Sequence, residues 1–135
     1  MNCEIEFLPV GTGSRPGDAI VVRYGEDNNW QLIVIDGGTL DTGKDLVVHL
    51  KTTFGFNVVI THALVTHPDT DHASGMREIL EGLPVENLWV NLPWNFAAEA
   101  RPYFVDKNWT EQGLANELRK ELKWTGLSRQ FLCLF

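Results

Sequence analysis

Hydrophobic and polar positions alternate in the N-terminal part of the chain in the way that is typical of β-strands. Cys3–Phe7 alternates apolar and charged residues, which is the period of a half-buried strand. Ala19–Tyr24 and Gln31–Ile35 are apolar runs of strand length, and turns rich in glycine, proline and asparagine separate them. This part of the chain is therefore predicted to form a β meander.

After the meander, the spacing of apolar residues indicates helices that alternate with strands. Thr42 is predicted to cap a first helix, whose apolar stripe runs to Phe54. Val58–Thr66 is predicted to contain a buried strand, and a second helix is expected to follow His72. Val85–Val90 is predicted to be a fifth strand.

The C-terminal part of the chain shows weaker patterns. Residues 91–109 are predicted to form a long irregular loop, and Thr110 is predicted to cap a third helix whose apolar face runs from Leu114 to Leu122. The tail Phe131–Phe135 is strongly apolar. Strands first, followed by alternating helices and strands, predict an α+β fold with a mixed β-sheet and helices on one face.

Composition narrows the classes of function. A chain of 135 residues with 44% hydrophobic residues is predicted to form one domain, residues 1–135. Its formal charge of −7 disfavours non-specific binding to nucleic acid, although bound cations would allow a nucleotide substrate. Two cysteines make no disulfide framework, and no apolar run approaches the roughly 20 residues of a membrane span. Since the N-terminus also lacks signal-peptide features, a cytoplasmic location is predicted, with no membrane partner.

Four side chains of the types that bind metals follow the predicted fourth strand: His67, Asp69, Asp71 and His72. Imidazole and carboxylate groups bind zinc and similar divalent ions, and water on such an ion becomes a nucleophile near neutral pH. His67 and Asp69 would hold one ion, and Asp71 and His72 a second. The alternative is a polar loop in which Asp71, just before the helix, caps its first turn.

Three segments carry a family resemblance. His67–His72 resembles the His-x-His-x-Asp-His loop of metallo-β-lactamase-fold hydrolases, with Asp69 in the position of the second histidine. Phe7–Gly11 together with Gly17–Ala19 resembles the glycine-rich N-terminal loop of that family, and Ile33–Gly38 resembles its strand that ends in Asp-Gly. The variant loop is similar to that of the hydrolase-like domain of DNA-uptake competence proteins.

The resemblance implies the first half of an αββα sandwich and a hydrolase that uses one or two Zn²⁺ or Mn²⁺ ions. It implies that His67, Asp69, Asp71 and His72 are the metal ligands, and that Asp71 is the catalytic candidate that orients the attacking water. It also implies that Asp36 supports the metal loop from behind without being a primary ligand. Phosphodiesters, in a nucleotide or a nucleic acid, are the substrates that the resemblance favours.

The chain departs from the family pattern downstream of the loop. Full-length members carry further metal ligands there, whereas this chain has no histidine after His72 and no later aspartate except Asp106. His62 lies five residues before His67 on the same predicted strand, so the two side chains are expected to point to opposite faces of the sheet. His49 is expected to have a packing or surface role. Cys3 and Cys133 are expected to be core or tail thiols.

Half of the family fold leaves an apolar sheet face without cover. The domain is therefore expected to be truncated, and a homodimer or a second polypeptide would complete it. The same residues allow a second hypothesis, in which the chain is a truncated, catalytically silent relative that acts as a binding or assembly module. The number of ions that the chain binds discriminates between this hypothesis and the hydrolase.

Overall fold

A computed structural model describes residues 2–11, 17–26, 29–121 and 132–133 of the chain. The chain divides into two compact units, of which the first comprises Met1–Val90 and Phe131–Phe135 and the second comprises Asn91–Gln130. The domain boundaries expected from the sequence stay a prediction. No helix in the described part of the chain has the length and apolar character needed to cross a membrane.

The first unit is built on a mixed β-sheet whose six strands follow their order in the chain. An antiparallel meander is formed by β1 (Asn2–Phe7), β2 (Ile20–Glu26) and β3 (Asn29–Ile35). Parallel pairing then adds β4 (Ile60–Val65), β5 (Val85–Val90) and the two-residue β6 (Leu132–Cys133). The α+β class and the mixed sheet are confirmed, and β1–β5 lie where the hydrophobic pattern predicts strands.

One face of the sheet forms the core of the first unit. Val21, Val34 and Leu88 share this face and are buried. Helix α1 (Leu40–Phe54) lies over it, where Phe54 meets the Arg23 guanidinium at 5.1 Å from the ring centre. Helix α2 (Thr70–Gly82) packs against α1. Apolar side chains on the two helices and on this sheet face therefore exclude water together.

The opposite face of the sheet is apolar along β1–β3. Phe7, Ile20 and Ile35 align across these strands, and Ile5 lies in the neighbouring row. Phe7 is 74% exposed and Ile5 is 56% exposed, whereas Val21 on the other face is 1% exposed. An exposed apolar row of this kind is typical of a surface that a partner covers. The homodimer or second polypeptide expected from the sequence stays a prediction.

Helix α1 begins at Leu40, so the prediction that Thr42 caps it is wrong. Thr39 occupies the cap position with an extended backbone, and its hydroxyl accepts a hydrogen bond from the Thr42 N–H at 3.3 Å. The helix begins this early because Gly38, with φ of 66°, turns the chain directly after the β3 loop.

Helix α2 begins at Thr70, so the prediction that it follows His72 is wrong. Asp69 takes the cap position with an extended backbone. Asp71 and His72 therefore lie in the first turn of a helix. They are therefore not part of the loop that carries His67.

The described residues of the second unit, 91–121, form helices and 3₁₀ turns joined by short loops. The predicted irregular loop contains the 3₁₀ turns Pro93–Phe96 and Arg101–Tyr103 and the helix α3 (Ala97–Ala100) between them. Helix α4 (Glu111–Glu121) follows, and Thr110 caps it by accepting a hydrogen bond from the Gly113 N–H at 3.0 Å, which confirms that prediction. Leu122 and most of the apolar tail lie outside the described residues.

Candidate metal centre

The candidate centre lies where β3 and β4 end. Asp36 follows β3, and Thr66 and His67 follow β4. The two strands are parallel neighbours, so their carboxyl ends meet at the same edge of the sheet, where ligand sites of α/β sheets commonly form. The Asp36 N–H donates to the Leu64 carbonyl oxygen at 2.8 Å, which fixes Asp36 beside the end of β4.

Asp36 is a buried carboxylate with three hydrogen-bond donors. It is 1% exposed, and its φ of 56° lies in the left-handed region that aspartate tolerates better than most residues. Its Oδ1 accepts from the Thr66 N–H at 2.8 Å, and its Oδ2 accepts from the Thr66 hydroxyl at 2.6 Å. The third donor is His72 Nδ1, at 3.1 Å from Oδ2.

These bonds assign the tautomers of both histidines. The Thr66 hydroxyl donates its one proton to Asp36, so it accepts from His67 Nδ1–H at 2.8 Å. His72 Nδ1–H donates directly to the same carboxylate. The neutral form of each imidazole therefore carries its proton on Nδ1 and presents Nε2 as the nitrogen that can bind a metal.

The two histidines lie side by side, with ring centres 3.9 Å apart. His67 Nε2 is 3.7 Å from Asp69 Oδ2. Two ligand atoms on one tetrahedral zinc ion are about 3.4 Å apart, because each metal–ligand bond is about 2.1 Å long. Ligand atoms of Asp36, His67 and His72 all lie within 4.8 Å of one another. These three residues could therefore hold a metal ion.

The carboxylates of the loop are not used in capping α2. Asp69 occupies the cap position but makes no capping hydrogen bond, and its side chain is 71% exposed. Asp71 lies inside the first turn, and within the described residues its half-buried carboxylate forms no hydrogen bond or ion pair. The alternative of a simple capping loop is therefore not supported, because neither carboxylate accepts a hydrogen bond from the described part of the chain.

Two further residues contact the histidines of the centre, and the sequence predicted no role for either of them. They are Asp18 and Thr66. Asp18 Oδ2 lies 3.7 Å from His72 Nδ1. Gly17 lies so close to α2 that a Cβ there would overlap the Asp71 carbonyl oxygen. The signal for Thr66 was its position directly before His67, because a hydroxyl beside a ligand commonly orients it.

The other histidines have partners elsewhere. His62 Nδ1 accepts from the Trp89 indole N–H at 3.0 Å, on the sheet face opposite α1, as its strand parity predicts. His49 Nε2 lies 2.6 Å from the Glu6 carboxylate, a partly exposed pair that agrees with a surface role. The Cys3 residue is exposed, and the Cys133 side chain lies outside the description.

Comparison with known proteins gives no assignment for this centre. No protein-family model matches the chain, and no curated protein matches it. The interpretation of the centre therefore depends on the tautomers, distances and burial of its own residues.

Replacing Thr66 with Val is expected to weaken zinc binding at least about tenfold, which is the usual effect of removing a group that orients a ligand. Valine keeps the shape of threonine but removes the hydroxyl between Asp36 and His67. Competition with a chromophoric chelator measures the affinity. Thr66→Ser should restore it, and Thr52→Val, on the exposed side of α1, should change nothing. Equal affinities of Thr66→Val and the wild-type chain would contradict the assigned tautomers.

Proposed function

We propose that the chain is a metal-dependent hydrolase of the metallo-β-lactamase superfamily, built as the first half of an αββα sandwich. His67, Asp69, Asp71 and His72 would hold one or two Zn²⁺ or Mn²⁺ ions. The observation that carries the proposal is the buried Asp36 carboxylate, whose hydrogen bonds prepare both imidazoles to bind metal through Nε2. A polar loop that binds no ligand does not require a buried carboxylate that orients two imidazoles.

A bound divalent ion polarises the scissile group and lowers the pKa of water in its coordination sphere. Asp71 accepts a proton from the attacking water and orients its oxygen toward the substrate. The water oxygen would form a bond to phosphorus as the bond from phosphorus to the leaving oxygen breaks, and the leaving oxygen would take up the proton that Asp71 accepted from the water. Asp36 keeps both imidazoles in place, so that no reorientation is needed during the reaction.

Phosphodiesters are the proposed substrates. The carboxylates of Asp69 and Asp71 repel an anionic substrate in the absence of metal, and bound cations reverse this local charge. A centre of this type therefore couples substrate binding to metal binding. The net charge of −7 makes extended contacts to a nucleic-acid backbone unfavourable, so a short or single phosphodiester suits the chain best.

A second candidate function is that of a truncated, catalytically silent relative that acts as a binding or assembly module. The observation that favours it is the small number of ligands, because the loop supplies only two for each of two ions and a catalytic zinc normally has three from the protein. His49 and His62 are bonded elsewhere and do not make up the difference.

Metal analysis of the purified full chain separates these functions. After loading with Zn²⁺ or Mn²⁺ and removal of free metal, we expect between one and two ions per chain by mass spectrometry, in line with the ligand count of the loop. Hydrolysis of bis(p-nitrophenyl) phosphate should disappear with a chelator and return when metal is restored. Bound metal without hydrolysis would support the module, and a chain that retains no ion, or one weakly held ion, would support the module and overturn the hydrolase.

A further inference from the structure

The sheet face opposite α1 carries an uncharged patch on β1–β3. Strand pairing aligns two rows of three side chains there, all of them branched aliphatic or aromatic. We call these six residues the meander patch: Ile5, Val22 and Ile33 in one row, and Phe7, Ile20 and Ile35 in the next. Two of the six are exposed and the other four are half-buried, so the patch presents apolar surface to water.

The charged residues of β1 lie on the other face of the sheet, where they have partners. Glu4 accepts a hydrogen bond from the Arg23 guanidinium at 3.4 Å, and the Glu6 carboxylate lies 2.6 Å from His49 Nε2. A strand with one face in water usually places its charges on that face and its apolar residues on the covered one. In β1 this order is reversed. The polarity of β1 therefore indicates that the meander patch is covered when the protein functions.

A second copy of the chain fits the meander patch by charge. Each chain has a formal charge of −7, so two copies repel each other wherever their acidic surfaces meet. The patch has no charged side chain, and contact between two patches therefore brings no like charges together. A basic partner would be attracted to the acidic side chains elsewhere on the chain and would find no carboxylate to pair with in the patch.

We propose that two copies of the chain associate through their meander patches, face to face about a two-fold axis. In a two-fold interface both copies use the same surface, so each apolar row meets an apolar row. Sheets that pack face to face lie about 10 Å apart, and their side chains interdigitate between them. The inference does not depend on the proposed function, because none of the six residues belongs to the candidate metal centre.

The test compares Phe7→Glu with Phe56→Glu by analytical ultracentrifugation of the full chain. Phe56 is 86% exposed in the turn after α1 and lies outside the patch, so both variants make the same change at an exposed phenylalanine. We expect the wild type and Phe56→Glu to form the same dimer. Phe7→Glu should weaken dimerisation at least about 30-fold, which is the usual effect of losing a residue that anchors an interface.

Ile5→Lys separates burial of the patch from the net charge of the chain. It makes the chain less negative, so a general repulsion between copies would decrease. An unpaired ammonium group in a covered apolar patch is unfavourable, however, and we expect Ile5→Lys to weaken dimerisation as well. Thermal unfolding of dilute samples checks that both patch variants are folded.

Alkylation of Cys3 gives an independent measurement. Cys3 is exposed and lies on the same face of β1 as Ile5, next to the patch. Its alkylation rate, followed by peptide mass spectrometry, should fall as the concentration of the wild-type chain rises and stay constant in Phe7→Glu. A wild-type chain that stays monomeric up to about 1 mM would overturn the proposal. A dimer that Phe7→Glu weakens no more than Phe56→Glu does would also overturn it.

Discussion

A chain in which Asp71 is replaced by Asn is expected to keep its fold and to hydrolyse phosphodiesters at least about 100-fold more slowly, the usual range for loss of a general base. The amide does not accept a proton from water at neutral pH, and it is a weaker metal ligand than a carboxylate. The fold should persist because the Asp71 side chain forms no hydrogen bond or ion pair within the described residues. The measurement is the initial rate at saturating Zn²⁺ or Mn²⁺.

Asp45→Asn is the matched control for this experiment, because it makes the same chemical change at an exposed site on α1. It should keep the wild-type rate and unfolding midpoint. Thermal unfolding of the metal-free chains checks that Asp71→Asn is folded. Full activity in a metal-loaded preparation of Asp71→Asn would remove Asp71 from the catalytic role.

Replacing Gly75 with Ala is expected to destabilise the first unit by about 3 kcal/mol, at the upper end of the usual cost of overpacking. A Cβ at Gly75 would overlap the carbonyl oxygen of Gly37, and Gly43 of α1 approaches the same point. The three atoms nearest to it are main-chain atoms of Gly37 and Thr39, which cannot move aside as a side chain does. A midpoint lower by roughly 10 °C should follow in thermal unfolding.

Gly82→Ala in the same helix is the control for Gly75→Ala. The three atoms nearest to its Cβ would all belong to the Val47 side chain, the closest being Cγ1 at 2.9 Å, and alanine favours the helix by up to about 1 kcal/mol. This variant should stay within about 1 kcal/mol of the wild type. A midpoint of Gly75→Ala equal to that of Gly82→Ala would show that the contact between α2 and the β3 loop is looser than described.

Gly75 also bears on the metal centre. Its N–H donates to the Gly38 carbonyl oxygen at 2.9 Å, and the Gly37 N–H donates to the His72 carbonyl oxygen at 2.7 Å. These two main-chain bonds hold the start of α2 against the loop that carries Asp36. Displacing them should therefore weaken metal binding as well as stability.

The hydrophobic pattern was sufficient to predict the first five strands of the sheet but neither β6 nor the starts of α1 and α2. Strand periodicity is local, so β1–β5 follow from the spacing of apolar residues alone. The start of α1 depends on a turn at Gly38 with positive φ, which leaves no mark on the hydrophobic pattern. The start of α2 was placed too late because the metal-ligand pattern suggested an extended loop as far as His72.

The residues of the site were predictable to different degrees. His67 and His72 are close in sequence, so their proximity required no knowledge of the fold. The role of Thr66 depends on parallel pairing of β3 with β4, which brings a buried carboxylate to its hydroxyl. The position of Asp18 depends on how the β2 segment meets α2, a long-range contact that no local pattern encodes.

Both histidines depend on one carboxylate, and this has a consequence for recognising such centres in other sequences. A histidine pair with the spacing of His67 and His72 is common by chance, and by itself it says nothing about tautomers. In a chain that keeps the pair but lacks an acid at the position of Asp36, neither histidine would be oriented by a buried carboxylate. The sequence signature to search for is therefore the pair together with the distant acid and the hydroxyl of Thr66 between them.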